Sequence, residues 1–230
     1  MDSALSRLTG YPSRPAAVLF DMDGTLVDSE KLWDEVLVEL AAHYGAGLSA
    51  AAREAIVGTS MATAMELLHT DIGQPWRDPQ LSAAWVDRRI LELFQGGLQW
   101  RPGAMELLAA VRRERIPTAL VTSSGRALVE VALDTLGRES FDAVVCGDEV
   151  DATKPHPEPY LTAARLLGVP IGECVAVEDS ATGVRSALAA GATVLHVPAG
   201  ATVEAIEGAH LRASLDGVDL AFLAGLHRGR

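Results

Sequence analysis

Lysine is almost missing from this chain. Of its 19 basic residues only Lys31 and Lys154 are lysines, and the other seventeen are arginines. Positive charge is scarce in general, since 31 acidic residues leave a formal net charge of −12. That balance argues against a nucleic acid or an anionic membrane as partner, because either calls for a basic patch. Cysteine is confined to Cys146 and Cys174, each inside a strand-like run, DAVVCGD and CVAVED. Two cysteines make neither a disulfide scaffold nor a zinc site, so buried thiols in a reducing cytoplasm are expected. No apolar run approaches the ~20 residues that span a bilayer. The first stretch, MDSALSRLTGYPSRP, has no basic n-region and no apolar h-region, so no signal peptide is expected there. The LHRGR stretch at the other end (Leu226 to Arg230) is expected to be a frayed, solvated tail.

What is present is enough apolar residue for a sizeable core. The 230 residues are 49% hydrophobic, which suits one large domain or a core domain carrying a smaller one. Ala16 to Asp21 has the look of a buried parallel strand, short, apolar and stopped by polar residues. From Ser29 to Tyr44, Leu32, Trp33, Val36, Leu37, Leu40 and Tyr44 recur at helical spacing, with Gly45 closing the helix. Ala50 to Ile56, Met61 to His69 and Pro79 to Phe94 follow as helices, and residues 30 to 98 contain no strand pattern. After Arg101-Pro102-Gly103 the pattern changes to alternation. Helices Ala104 to Arg115, Ala127 to Leu136, Pro159 to Leu167 and Thr182 to Ala190 lead into strands Thr118 to Thr122, Ala143 to Cys146, Cys174 to Val177 and Thr193 to Val197. Such alternation predicts an α/β fold, a Rossmann-like parallel sheet with helices on both faces, with an inserted α-helical subdomain. The expected division is a core of residues 1–30 and 100–230 and a helical block of residues 31–99.

In open parallel sheets ligands sit outside the carboxyl ends of the strands. At those ends the sequence places Asp21 and Asp23, then Thr122 and Ser123, then Asp148 with Lys154 just beyond, then Glu178 and Asp179. Two acids at i and i+2 on a strand project to one side and repel, so either the pair is solvated or something positive sits between them. A cluster of hard oxygen ligands suits Mg²⁺, which takes one or two carboxylates and completes its octahedron with water and phosphate oxygens. Thr122, Ser123 and Ser124 precede a helix that begins near Gly125, an arrangement able to seat a phosphate or simply to cap the helix. In a chain that uses arginine almost everywhere, Lys154 in KPHPEPY is where a compact point charge is wanted. Taken one at a time, each of these residues is also an ordinary loop or cap residue. Their convergence on one edge is what points to chemistry.

Together these stretches resemble the haloacid dehalogenase superfamily of aspartate-nucleophile phosphotransferases. DMDGT (Asp21 to Thr25), LVTSS (Leu120 to Ser124), Lys154 in KPHPEPY and VEDSATG (Val177 to Gly183) are similar to its four motifs, in order. The resemblance implies that Asp21 attacks phosphorus to form an aspartyl-phosphate and that Asp23 serves as acid and then base. It further implies that Thr122 and Lys154 bind the transferring phosphoryl group. Mg²⁺ would be held by Asp21, the Asp23 backbone carbonyl and Asp179, with Glu178 either a further ligand or just behind them. Ser123, Ser124, Arg126 and, in the cap, Thr59 are the candidate substrate contacts. Gly24 would form the hinge that couples cap closure to Asp23.

Within the superfamily, Asp23 excludes the dehalogenases, which lack an acid two residues after the nucleophile. A β-phosphoglucomutase-like phosphotransferase is the alternative, and it needs cationic groups in the cap. The first cap loop here, VGTSM (Val57 to Met61), has no basic residue, which leaves Arg88 or Arg89 for that role. Thr25 and DSEKLWD (Asp28 to Asp34) instead resemble the sugar- and sugar-alcohol-phosphate phosphatases, with phosphoglycolate phosphatases as close neighbours. The expected activity is Mg²⁺-dependent hydrolysis of small phosphate monoesters by a cytoplasmic monomer whose partner is a small phosphorylated metabolite. Trp33 and Met61 are expected to be packing residues, and the polar Thr59 and Ser60 favour a small hydroxylated leaving group.

Overall fold

The computed structural model describes residues 14–57, 59–199 and 205–227. The N-terminal stretch read for a leader lies outside the described residues as far as residue 13, as do Gly58 of the first cap loop and the last three residues of LHRGR. The strands β1 (Ala17–Phe20), β2 (Thr118–Val121), β3 (Ala143–Val145), β4 (Cys174–Glu178), β5 (Thr193–His196) and β6 (Ala209–Leu211) form one sheet in the order β3-β2-β1-β4-β5-β6. Every pair in it is parallel. The α/β, Rossmann-like architecture is therefore as the alternation predicts. β1, β2, β4 and β5 are buried at every position, the unbroken apolar run of a sheet covered on both faces.

Helices α1 (Glu30–His43), α2 (Ala50–Ile56), α3 (Met61–Asp71) and α4 (Pro79–Gln95) follow β1 without an intervening strand. Their starts are written in the sequence. Ser49, Ser60 and Asp78 each accept a backbone N–H of the first turn, and Pro79 sits where a helix tolerates it. The remaining helices are α5 (Ala104–Arg113), α6 (Arg126–Leu136), α7 (Glu158–Leu167), α8 (Ala181–Ala190) and α9 (Leu220–His227). Residues of α5, α6 and α9 share a buried cluster with Val18, Phe20, Leu120, Val175, Val177 and Leu195, one side of the sheet. Those of α7 and α8 pack with Ala17, Leu19, Ala119, Val121, Ala176 and Val194 on the other. Trp33 and Met61 pack against the first cluster, as expected of core residues.

Three details differ from the sequence reading. α5 stops at Arg113 rather than Arg115, because Arg115 takes a left-handed φ of 56°. Its N–H bonds to Arg112 and that of Ile116 bonds to Val111, a Schellman closure that turns the chain into Pro117 and β2. β6 and α9 carry no prediction; β6 is three half-exposed residues made a strand only by pairing with β5. The tail expectation is corrected for Leu226 and His227, which end α9, with Leu226 in the buried cluster rather than in solvent.

The two stretches that join the helical block to the sheet pair with each other. Val27 bridges Trp100, Asp28 N–H bonds to the Gln99 carbonyl at 2.8 Å, and Arg101 N–H bonds to that of Leu26 at 2.8 Å.

Candidate active site

The order of the sheet reverses between β1 and β4. The chain runs outward from β1 to β2 and β3, then returns to the far side of β1 to lay down β4. Ligand crevices form at such a switch point, beyond the carboxyl ends of the strands. Asp21 follows β1 there, its N–H continuing the ladder to the Val177 carbonyl at 3.0 Å, and Glu178 and Asp179 end β4 alongside.

Lys154 binds this cluster together. Its Nζ donates to Asp21 Oδ1 at 2.7 Å, to Glu178 Oε1 at 2.6 Å and to the Val121 carbonyl at 2.9 Å. The three side chains are 3%, 8% and 0% exposed for Lys154, Asp21 and Glu178. Lys31 shows the contrast: it makes a surface pair with Asp28 and is 81% exposed. Burial alone would lower the Lys154 pKa, but Asp21 and Glu178 outweigh it and hold the ammonium above its ordinary range. Tyr160, the last residue of KPHPEPY, is wholly buried and donates its hydroxyl to Glu178 Oε1 at 2.5 Å. Glu178 Oε2 accepts from Ser180 Oγ at 3.3 Å, so both of its oxygens are engaged by the protein.

Asp21 is left with one oxygen to use. Oδ1 is held by Lys154, whereas Oδ2 is buried without a hydrogen-bond partner. Burial raises the Asp21 pKa to about 7, opposed by Lys154 and assisted by Glu178. Asp179 is pushed well above the carboxylate range by burial first, then by Asp21 and Glu178. Gly24 explains how Asp179 comes so near. It sits at φ +76°, and a Cβ there would lie 2.1 Å from Asp179 Oδ2, so only glycine fits.

The fit of this cluster to a divalent cation rests on its own chemistry. One ligand oxygen from each of Asp21, Glu178 and Asp179 lies within 4.8 Å of the others. Two buried carboxylates and the half-buried Asp179 face the Lys154 ammonium, and a buried Asp21 oxygen lacks a partner. Hard oxygen donors with surplus negative charge suit Mg²⁺. Asp21 and Asp179 have the freer oxygens, while Glu178 is tied to Lys154, Tyr160 and Ser180.

Asp23 lies in a different environment, surrounded by hydroxyls. Ser29 Oγ donates to Oδ1 at 2.7 Å, and Ser124 Oγ donates to Oδ2 at 2.7 Å, with Thr122 Oγ1 at 3.4 Å from the same oxygen. Ser29 is fully buried just ahead of α1, so the first residue of the helical block's entry touches Asp23 directly. Sequence reasoning missed Ser29, Tyr160 and Ser180; the seven-residue KPHPEPY spacing could have flagged Tyr160, since α7 returns it to the lysine's side.

The remaining candidates separate. Thr122 and Ser124 reach Asp23, as above, while Ser123 is exposed. The first N–H of α6, that of Arg126, is already taken by the Asp148 carboxylate at 3.0 Å. The Arg126 guanidinium pairs with Glu149 at 2.6 Å and Glu130 at 3.4 Å, which directs it to the α6 surface rather than to the carboxylate cluster. Thr59 is exposed between α2 and α3, and its hydroxyl donates to the Ile56 carbonyl at 2.8 Å. A separate cavity of about 350 Å³, lined by Arg112, Arg115, Pro117, Asp142, Leu166 and Leu167, opens at the amino ends of β2 and β3 and contains none of these groups.

The model of the haloacid dehalogenase-like hydrolases matches residues 15–191. The chain belongs to that family. The chain is similar to hexitol phosphatase B of Escherichia coli, 32% identical over 194 residues that cover 82% of this chain and 86% of that protein. A fructose-1-phosphate phosphatase of the same organism is 33% identical over 191 residues, 80% of this chain and 97% of its own. Among solved structures, CbbY of Rhodobacter sphaeroides in complex with xylulose-(1,5)bisphosphate superposes with a TM-score of 0.78 at 30% identity, covering 89% of this chain and 96% of that one. In this chain the Asp21–Glu178–Asp179 cluster, held by Lys154, lies at the switch point of the sheet.

Proposed function

We propose that this phosphoric monoester hydrolase acts on sugar or sugar-alcohol phosphates through an aspartyl-phosphate at Asp21, with Mg²⁺ as cofactor. The observation that carries the proposal is the asymmetry of two neighbouring acids. Asp21 has one oxygen fixed by an ammonium and the other unpartnered, the state of a nucleophile. Asp23 is held at both oxygens by hydroxyls, the state of a group that passes a proton on.

The Asp21 carboxylate attacks phosphorus while the ester P–O bond breaks and the leaving oxygen takes a proton from Asp23. Asp23 then removes a proton from the water that attacks the phosphoryl group, which restores Asp21. Thr122 lies beside Asp23 and offers a hydroxyl to the transferring oxygens, while Lys154, whose three N–H bonds go to Asp21, Glu178 and the Val121 carbonyl, contributes its positive charge. Asp21, Asp179 and the Asp23 carbonyl would hold Mg²⁺, with Glu178 keeping Lys154 in place. When bound, the cation offsets the charge that gathers on the phosphoryl oxygens.

Residues 31–99 act as a cap on a core of residues 1–30 and 100–230, and the paired crossings at Val27 and Trp100 are the hinge. Ser29 links that hinge to the acid, so cap movement and the placing of Asp23 are one event. The names of the hexitol and fructose-1-phosphate phosphatases support the substrate class. A phosphotransferase acting through a bisphosphate needs free cations in the cap. Arg89 is bound by Glu39 and Glu92, Arg53 by Asp34, and Arg77 lies over the Tyr44 ring, which leaves Arg88 among the described cap arginines. The hydrolase reading is therefore preferred, for a monomer working in the cytoplasm, where two buried thiols stay reduced.

The test is phosphate release from hexitol and hexose phosphates, fructose 1-phosphate, phosphoglycolate and β-glucose 1-phosphate, with and without Mg²⁺. Mg²⁺-dependent release that Asp21→Asn abolishes supports the proposal. Isomerisation of β-glucose 1-phosphate without release, or release unaffected by Asp21→Asn, overturns it.

A further inference from the structure

Beside the carboxylate cluster, β5 ends in a histidine that the mechanism does not use. His196, the last residue of a fully buried strand, is 3% exposed and stands between the apolar Leu195 and Val197. Its Nε2 lies 3.0 Å from the backbone carbonyl of Asp179. A carbonyl only accepts, so Nε2 carries the proton and donates. Its Nδ1 is buried with no partner at all. A polar ring with one nitrogen unpartnered is a poor filler for such a position, where any apolar side chain would pack without that penalty. The bond to Asp179 is what the imidazole provides there.

The bond has a direct lever on the acidic pair. β5 is in register with β4 so that His196 faces Glu178, and Val197 N–H donates to the Glu178 carbonyl at 2.7 Å. The last residue of β5 and the one after it thus grip the carbonyls of consecutive acids, Val197 that of Glu178 and His196 that of Asp179. The first grip is backbone and any sequence would make it; the second depends on the imidazole. Asp179 lies just past the end of β4, ahead of the Ser180 cap of α8, where no strand pairing fixes its peptide. Holding the Asp179–Ser180 peptide plane sets the direction in which the Asp179 carboxylate leaves the chain toward Asp21 and Gly24.

We infer that His196 is a positioning residue, which through its Nε2 bond to the Asp179 carbonyl aims the Asp179 carboxylate for divalent-cation binding. The inference rests on the proposal that Asp21 and Asp179 hold a metal ion. Partners that orient metal ligands from outside typically change metal affinity about 10- to 100-fold when removed.

The experiment is calorimetric titration of the metal-free, full-length chain with Mn²⁺, with no substrate present. His196→Asn, too short to reach, and His196→Leu should bind Mn²⁺ about tenfold or more weakly than wild type. His196→Gln places an amide nitrogen where Nε2 stood and should restore binding to near the wild-type value. The contrast between Gln and Asn survives even if the leucine variant fails to fold, and a loss of packing alone would not separate them. Wild type that binds while all variants bind alike, or Gln as weak as Asn, overturns the positioning role and leaves the metal proposal standing. Wild type that binds no Mn²⁺ overturns the metal proposal and this inference with it.

Discussion

Replacing Lys154 with methionine removes the one ammonium from the carboxylate cluster while keeping the apolar stem. The structure sets the size of the effect. Nζ makes bonds of 2.7 and 2.6 Å to two carboxylates, and all three side chains are at most 8% exposed, so no water can substitute. Removing one partner of a buried ion pair typically destabilises by about 3–5 kcal/mol. At about 2–4 °C per kcal/mol for a chain of this size, the melting temperature should fall by roughly 10 °C. The loss has a pH signature. In the wild type Asp21 titrates near about 7 in the fold against an ordinary 3.8, so between those values the folded chain binds more protons and stability falls as pH rises. Without the ammonium, the carboxylates are pushed further up and the falling limb extends to higher pH. Urea denaturation in EDTA at pH 5 and pH 8 should therefore show a larger deficit for Lys154→Met at pH 8. A second change, Glu178→Gln, should recover part of it. A variant within about 0.5 kcal/mol of wild type at pH 8 would refute the reasoning.

Two further outcomes follow from buried hydroxyl and imidazole contacts. Tyr160→Phe removes the 2.5 Å bond to Glu178 but leaves Lys154 on the same oxygen, so it should destabilise by about 1–2 kcal/mol in urea denaturation. His69 is buried in the helical block with its Nε2 2.8 Å from Ser82 Oγ, which also meets the Tyr44 hydroxyl at 2.7 Å. Burial, with Arg77 nearby, lowers its pKa below 6.5, so the unfolded chain takes up the proton first and stability falls as pH drops below that value. The protection factors of α3 and α4 amides, which remove the intrinsic slowing of exchange in acid, should fall on acidification, and His69→Gln should flatten that response.

Much of this molecule could be read from residue pattern. The apolar runs at Ala17–Phe20 and Cys174–Glu178 and the helical spacing of Leu32, Val36 and Leu40 are local signals, and the observed elements end within a residue or two of the expected ones. Asp21, Lys154, Glu178 and Asp179 were legible because a parallel sheet forces strand ends to one edge, whatever the order of its strands. What pattern could not give was partner choice. Arg126, expected as a substrate contact, pairs with Glu149, and Asp148 takes the first N–H of the helix expected to seat a phosphate. Ser29 and His196 reach the acids through contacts six and 17 residues apart in the chain, and no spacing rule encodes those. β6 was invisible because its three residues have no apolar run, and only β5 beside them makes a strand.

The central claim is that phosphate passes through Asp21. It is tested most directly in an Asp23→Asn variant given p-nitrophenyl phosphate and Mg²⁺, because this leaving group needs no acid but the second step still needs a base. The account predicts a burst of about one p-nitrophenolate per chain, with acid quenching and borohydride reduction converting residue 21 to homoserine. Turnover with no burst, or phosphate recovered on any residue other than Asp21, would contradict it.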